Sequence, residues 1–115
     1  MNGTVILVTH TGLGRTLPED RPFGLEMLDK FFHTLEKLEE KPKAILFYTE
    51  GVRCVIEDSP LVLTLKLLEG MGVRLVSCRT CLEYYGLGGR VAAGGTGGMD
   101  EIVRLMDEAE KVVTV

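Results

Sequence analysis

Apolar residues fall along this chain in two rhythms. Thr4 to Thr9 (Thr-Val-Ile-Leu-Val-Thr), Ala44 to Tyr48 and Val73 to Val76 are short apolar runs closed off by turn residues. Runs of this kind predict strands buried on both faces. Between them the period changes. From Gly24 to Glu40, Leu25, Leu28, Phe31, Phe32, Leu35 and Leu38 recur at helical spacing, with Glu and Lys on the other side, until Lys41-Pro42-Lys43 ends the helix. Ser59 is placed to cap a second helix with Pro60 at its first position. Leu61, Val62, Leu65, Leu67 and Leu68 give that helix an apolar face, and Gly70-Met71-Gly72 stops it. Met99 to Glu110 reads as the last helix, with Asp100 and Glu101 in its first turn, and Val112 to Val115 as the last strand. Val52 to Glu57 fits neither period. The glycine-rich stretch from Leu87 to Gly98 leaves room for one short strand, Val91 to Ala93.

Strands that alternate with helices in this way build a parallel sheet covered on both faces. The expected fold is α/β: a single flavodoxin-like domain over residues 1–115, with a mostly parallel five-stranded sheet. Its core should hold Val5 to Val8, Ile45 to Phe47, and Leu75 with Val76. Because crossovers are right-handed, the C-terminal strand ends share one edge, and ligands and chemistry collect there. Four segments must meet at that edge: His10 to Arg15, Thr49 to Val52, Ser77 to Cys81, and Ala93 to Gly98.

Composition narrows the function classes. The formal net charge is −4, with 13 basic against 17 acidic residues, which argues against nucleic acid as a partner. No apolar run approaches the roughly 20 residues needed to span a bilayer, so no membrane role is expected. Three cysteines without a signal peptide make a disulfide framework a poor expectation, and the cytoplasm is the default compartment.

The candidate chemistry lies where the third strand runs into a helix, with Cys78 before the junction and Cys81 after it. Thr80-Cys81-Leu82-Glu83 fits a capping box, with Thr80 as the cap and Cys81 at the first helical position. A thiol there should ionise below its ordinary value, and Arg79 between the two sulfurs adds positive charge. Two small apolar residues packed under a helix is the bland alternative. Gly12-Leu13-Gly14-Arg15 lacks the remaining glycine and the Lys-Ser/Thr of nucleotide-binding loops, although its backbone amides can hold a small anion. His33 reads as a surface or boundary residue, and Cys54 as packing.

The run Ser77-Cys78-Arg79-Thr80-Cys81-Leu82-Glu83-Tyr84-Tyr85-Gly86-Leu87 resembles the signature of DsrE-like domains, most closely the C-terminal domain of YedF-type proteins. Leu13-Gly14-Arg15, Phe47-Tyr48-Thr49-Glu50-Gly51-Val52 and Met99-Asp100-Glu101-Ile102 agree with it. Arg79 stands where that pattern prefers Gly, and the N-terminal TusA-like domain usual in YedF proteins has no counterpart here. The resemblance implies a sulfur-relay protein, sulfurtransferase-like, that carries sulfane sulfur as a persulfide on Cys78, which lies eight residues before Gly86. It makes Cys81 the partner thiol. Arg79, Thr80, Gly12, Gly14, Arg15 and Gly51 are supporting or anion-binding candidates. It also implies sulfur-donor and sulfur-acceptor proteins as partners, TusA-like ones among them, and a homo-oligomer, trimer or hexamer. No cofactor is expected. No metal is expected either, since one Cys pair supplies half a tetrahedral zinc site. A dithiol redox protein and a small-anion or nucleotide-binding flavodoxin-like module remain the competing readings.

Overall fold

The computed structural model describes all residues, 1–115. Five strands form one sheet: β1 (Thr4–Val8), β2 (Ala44–Phe47), β3 (Arg74–Cys78), β4 (Gly95–Gly97) and β5 (Lys111–Thr114). Their order across the sheet is β4-β3-β2-β1-β5, and every pairing between them is parallel. β1 and β2 are buried at every position, as their unbroken apolar sequences require. The only antiparallel contact is an isolated bridge between Ile56 and Val91.

Four α-helices connect the strands: α1 (Arg21–Glu36), α2 (Val62–Gly70), α3 (Arg79–Tyr84) and α4 (Met99–Asp107). The steps from β1 to β4 all run one way across the sheet. Right-handed crossovers therefore put α1 and α2 on one face, where they pack on each other. The step back to β5 puts α4 on the opposite face, against β3 and β4.

Several boundaries differ from those read off the sequence. Helix α1 covers residues 21–36 instead of 24–40: Pro22 lies in its first turn, where a missing N–H costs nothing, and Gly24, Leu28, Phe32 and Leu35 form its buried face. Ser59 does not cap the helix: its hydroxyl accepts the Leu61 N–H at 3.1 Å in the turn before it, and regular helix begins only at Val62, with Leu61 as the cap residue and Pro60 outside. Leu67 turns out exposed, while Leu61, Leu65 and Leu68 are buried. Of the ambiguous stretch Val52 to Glu57, the residues through Val55 belong to a 3-10 segment, Thr49–Val55, and Ile56 is extended.

The short fourth strand is Gly95–Gly97, not Val91 to Ala93. Gly94 explains the shift. Its φ is +72°, and a side chain there would put a Cβ 2.7 Å from the Leu75 carbonyl oxygen. The backbone can thus approach β3 closely only after this glycine, which delays pairing to 95–97.

Candidate functional site

The C-terminal ends of β1, β2 and β3 release three segments side by side, and the two junction cysteines stand among them. Cys78 is the last residue of β3 and the residue that precedes α3; it is buried, 2% exposed. Cys81 lies one turn further on and is half-buried. Both are free thiols, near enough that Cys78 raises the proton affinity of Cys81.

The capping box expected here does not form. Helix α3 starts at Arg79 with Cys78 in the cap position, so Thr80 and Cys81 are its second and third residues. No side chain caps it, and Thr80 is exposed. The shift expected for Cys81 is reversed as well: its thiol is pushed above its ordinary value. Burial is the largest cause, followed by the neighbouring Cys78 thiol; the Thr49 amide pulls the other way without winning.

That amide is the feature sequence reasoning missed. Thr49 N–H donates to Cys81 Sγ at 3.1 Å. It can do so because Thr49 has φ +48°, the one non-glycine residue in the left-handed region. A β-branched residue resists that conformation by roughly 1–2 kcal/mol, so neighbouring contacts must hold it. Its hydroxyl lies 2.7 Å from the Tyr48 carbonyl and 3.2 Å from the Thr9 carbonyl, tying the ends of β2 and β1 together. Residue type gave no warning of this conformation; only the placement of Thr49 at the sheet edge did.

The other candidates divide. Gly12, Gly14 and Arg15 line a polar cleft of about 350 Å³ beyond the end of β1, together with His10, Arg21 and Glu50. Gly51 is not part of that lining; it is buried against the Val8 carbonyl, where a Cβ would come within 2.7 Å of the carbonyl carbon. Arg79 is exposed on α3 and reaches toward Gly98, with an Nη 3.9 Å from where a Cβ on that residue would sit. Cys54 is buried with its Sγ 3.7 Å from the His10 carbonyl, and burial pushes its thiol up to about 12. His33 is exposed on α1, beside Asp29, Glu36 and the Thr64 hydroxyl. No group of three or more His, Cys, Asp and Glu side chains comes together in a way that could hold a metal ion.

A parallel α/β sheet with a thiol pair at its C-terminal edge defines the class of protein. The chain belongs to the DsrE/DsrF-like family, whose model matches residues 25–115. Among solved structures it is similar to the ychN protein of E. coli, at 17% identity and a TM-score of 0.68, with 100% of each chain covered. It is also similar to MTH1491 of Methanobacterium thermoautotrophicum, a protein of unknown function, at 21% identity and a TM-score of 0.69 over 97% of each chain. BT1422 of Bacteroides thetaiotaomicron follows at 16% identity and a TM-score of 0.61, with 98% of this chain and 95% of that one covered. At these identities the likeness is one of fold. No curated protein matches the chain.

Proposed function

We propose that this chain is a sulfur-relay protein that carries sulfane sulfur as a persulfide on Cys78, with Cys81 as its partner thiol. Family membership supports a sulfur-relay role in general. The observation that carries the specific reading is the pair of free thiols at the β3–α3 junction on the sheet edge, one of them holding a backbone N–H. The Cys-x-x-Cys-Leu run further favours kinship with YedF-type proteins.

Loading is attack of the Cys78 thiolate on the outer sulfur of a donor persulfide. A new S–S bond forms to Cys78, the donor S–S bond breaks, and the donor leaves as its thiolate. Delivery is the same step in reverse, with an acceptor thiolate attacking the outer sulfur. Cys81 offers a second exit. Its thiolate can attack the inner sulfur, Cys78 Sγ, expelling hydrosulfide and leaving a Cys78–Cys81 disulfide. A thiol reductant must then return two electrons to reset the pair. Donor and acceptor proteins, TusA-like ones among them, are the expected partners.

Intact-mass measurement after exposure to a persulfidated donor tests this reading. Wild type should gain the mass of one sulfur, Cys78→Ser should gain no lasting increment, and Cys81→Ser should load but hold the sulfur for a different time. Loading of Cys78→Ser together with failure of Cys81→Ser would reverse the two roles.

A further inference from the structure

The cleft beyond β1 is a separate feature from the thiol pair, and its chemistry is one-sided. Arg15 and Arg21 line it with His10, against a single carboxylate, Glu50. Two guanidinium groups facing one carboxylate leave a local positive excess on a chain whose net charge is −4. The Arg21–Glu50 pair is loose at 3.6 Å, and Arg15 makes no ion pair at all. The loop that carries Gly12 and Gly14 is held in place: Leu13 N–H donates to the Gly24 carbonyl at 3.0 Å, and a Cβ on Gly12 would lie 3.1 Å from Gly24 Cα. The cleft is thus a formed feature with unpaired cationic capacity.

Its position relative to the sulfurs gives it a use. Glu50 lines the cleft, and the preceding residue, Thr49, donates its N–H to Cys81 Sγ. On the facing side His10 lines the cleft, and the preceding Thr9 carbonyl takes the Thr49 hydroxyl at 3.2 Å. Along the Thr49–Glu50 wall, adjacent residues therefore touch the Cys81 sulfur and line the cleft, and Thr9 on the His10 wall braces that connection.

The geometry points to the cleft as the binding site for the carboxylate-bearing part of a small-molecule persulfide donor, which then presents its outer sulfur at the thiol pair. The donor class is a low-molecular-weight thiol persulfide with a free carboxylate, of amino-acid to short-peptide size, as the 350 Å³ volume allows. This rests on the carrier role proposed above. The group transfer is the one already balanced: the donor S–S bond breaks, a protein S–S bond forms, and the donor skeleton leaves the cleft as a thiolate.

Two measurements on the full chain test the inference and keep it separable from the carrier role. The first uses the doubly substituted Cys78→Ser, Cys81→Ser protein, which cannot transfer sulfur. S-methylglutathione should shift the amide resonances of Gly12 and Gly14, its diethyl ester should not, and Arg15→Ala should weaken binding of the acid by about tenfold. The second measures wild-type loading by glutathione persulfide and by its diethyl ester. Arg15→Ala should raise the half-saturating concentration of the acid donor about tenfold and leave the ester unchanged, with Arg15→Lys intermediate. Equal shifts by acid and ester, no shift at either glycine, or indifference of the acid to Arg15→Ala would overturn the inference. If instead the acid probe binds as expected but wild type takes up no sulfur from any donor, the carrier role fails and the carboxylate site stands.

Discussion

The reactivity of Cys81 is set by the groups immediately around its sulfur. Burial and Cys78 raise its proton affinity, while the amides of Thr49 and of Cys81 itself lower it, and the balance is upward. Removing Cys78 deletes the raising influence of that neighbouring thiol and leaves the Thr49 amide in place. In Cys78→Ala the inflection of Cys81 alkylation against pH should therefore move down, and the thiolate fraction near neutrality should rise. In a Cys81-only readout on the Cys78-containing protein, reaction should keep accelerating at pH values above the ordinary thiol range. Peptide-resolved iodoacetamide rates across pH measure both; identical inflections would show that the two thiols do not communicate. Cys54 will not confuse the readout, because its own thiol holds its proton to about 12.

At the scale of elements, the 3-10 segment Thr49–Val55 does more for the site than either flanking regular element. It holds the Thr49 amide on Cys81, contributes Glu50 to the cleft, and presses Gly51 on the Val8 carbonyl. Gly51→Ala would force β1 and this segment apart at a position where the obstacle is backbone. It should cost about 3 kcal/mol, lowering Tm by about 10 °C. It should also slow sulfur loading by displacing Thr49; a scanning-calorimetry trace matching wild type would show that the backbone yields easily. Little of this segment was legible beforehand. The strands β1, β2 and β3 announce themselves because a parallel sheet demands continuous apolar runs, and the same logic placed the cysteines at the C-terminal edge of the sheet. The 3-10 segment has no such period. The capping box at Thr80 misled for a related reason: β3 passes directly into α3 at Arg79, so the turn that a capping threonine would need does not exist. Likewise β4, Gly-Thr-Gly, carries none of the side chains by which a strand is recognised, and it pairs only because the glycine before it admits β3.

For the molecule as a whole, no helix is long and apolar enough to cross a membrane. The surface nonetheless keeps an apolar stripe along α2 and its C-cap residue, where Leu63, Leu67 and Met71 recur every fourth residue at 74%, 48% and 46% exposure. We propose a homo-oligomer, trimer or hexamer, with this stripe as a surface that it covers. Light scattering at micromolar concentration should give a multiple of 12.7 kDa, and Leu63→Glu should shift that mass toward the single chain if the stripe is the contact. The strand order carries a different consequence, one of time. β1 lies between β2 and β5, and its pairing with β5 joins Thr4 to Lys111, positions 111 − 4 = 107 apart. Closing so long a loop must wait until the intervening chain is largely organised, because its entropic cost is repaid only by contacts already in place. The strands that bear the thiol site can associate first, over shorter separations, and the last hydrogen bonds to form are those that close the sheet beside its first strand. Such a chain should fold in milliseconds to seconds, with its C-terminal strand the final piece to lock and the first to open.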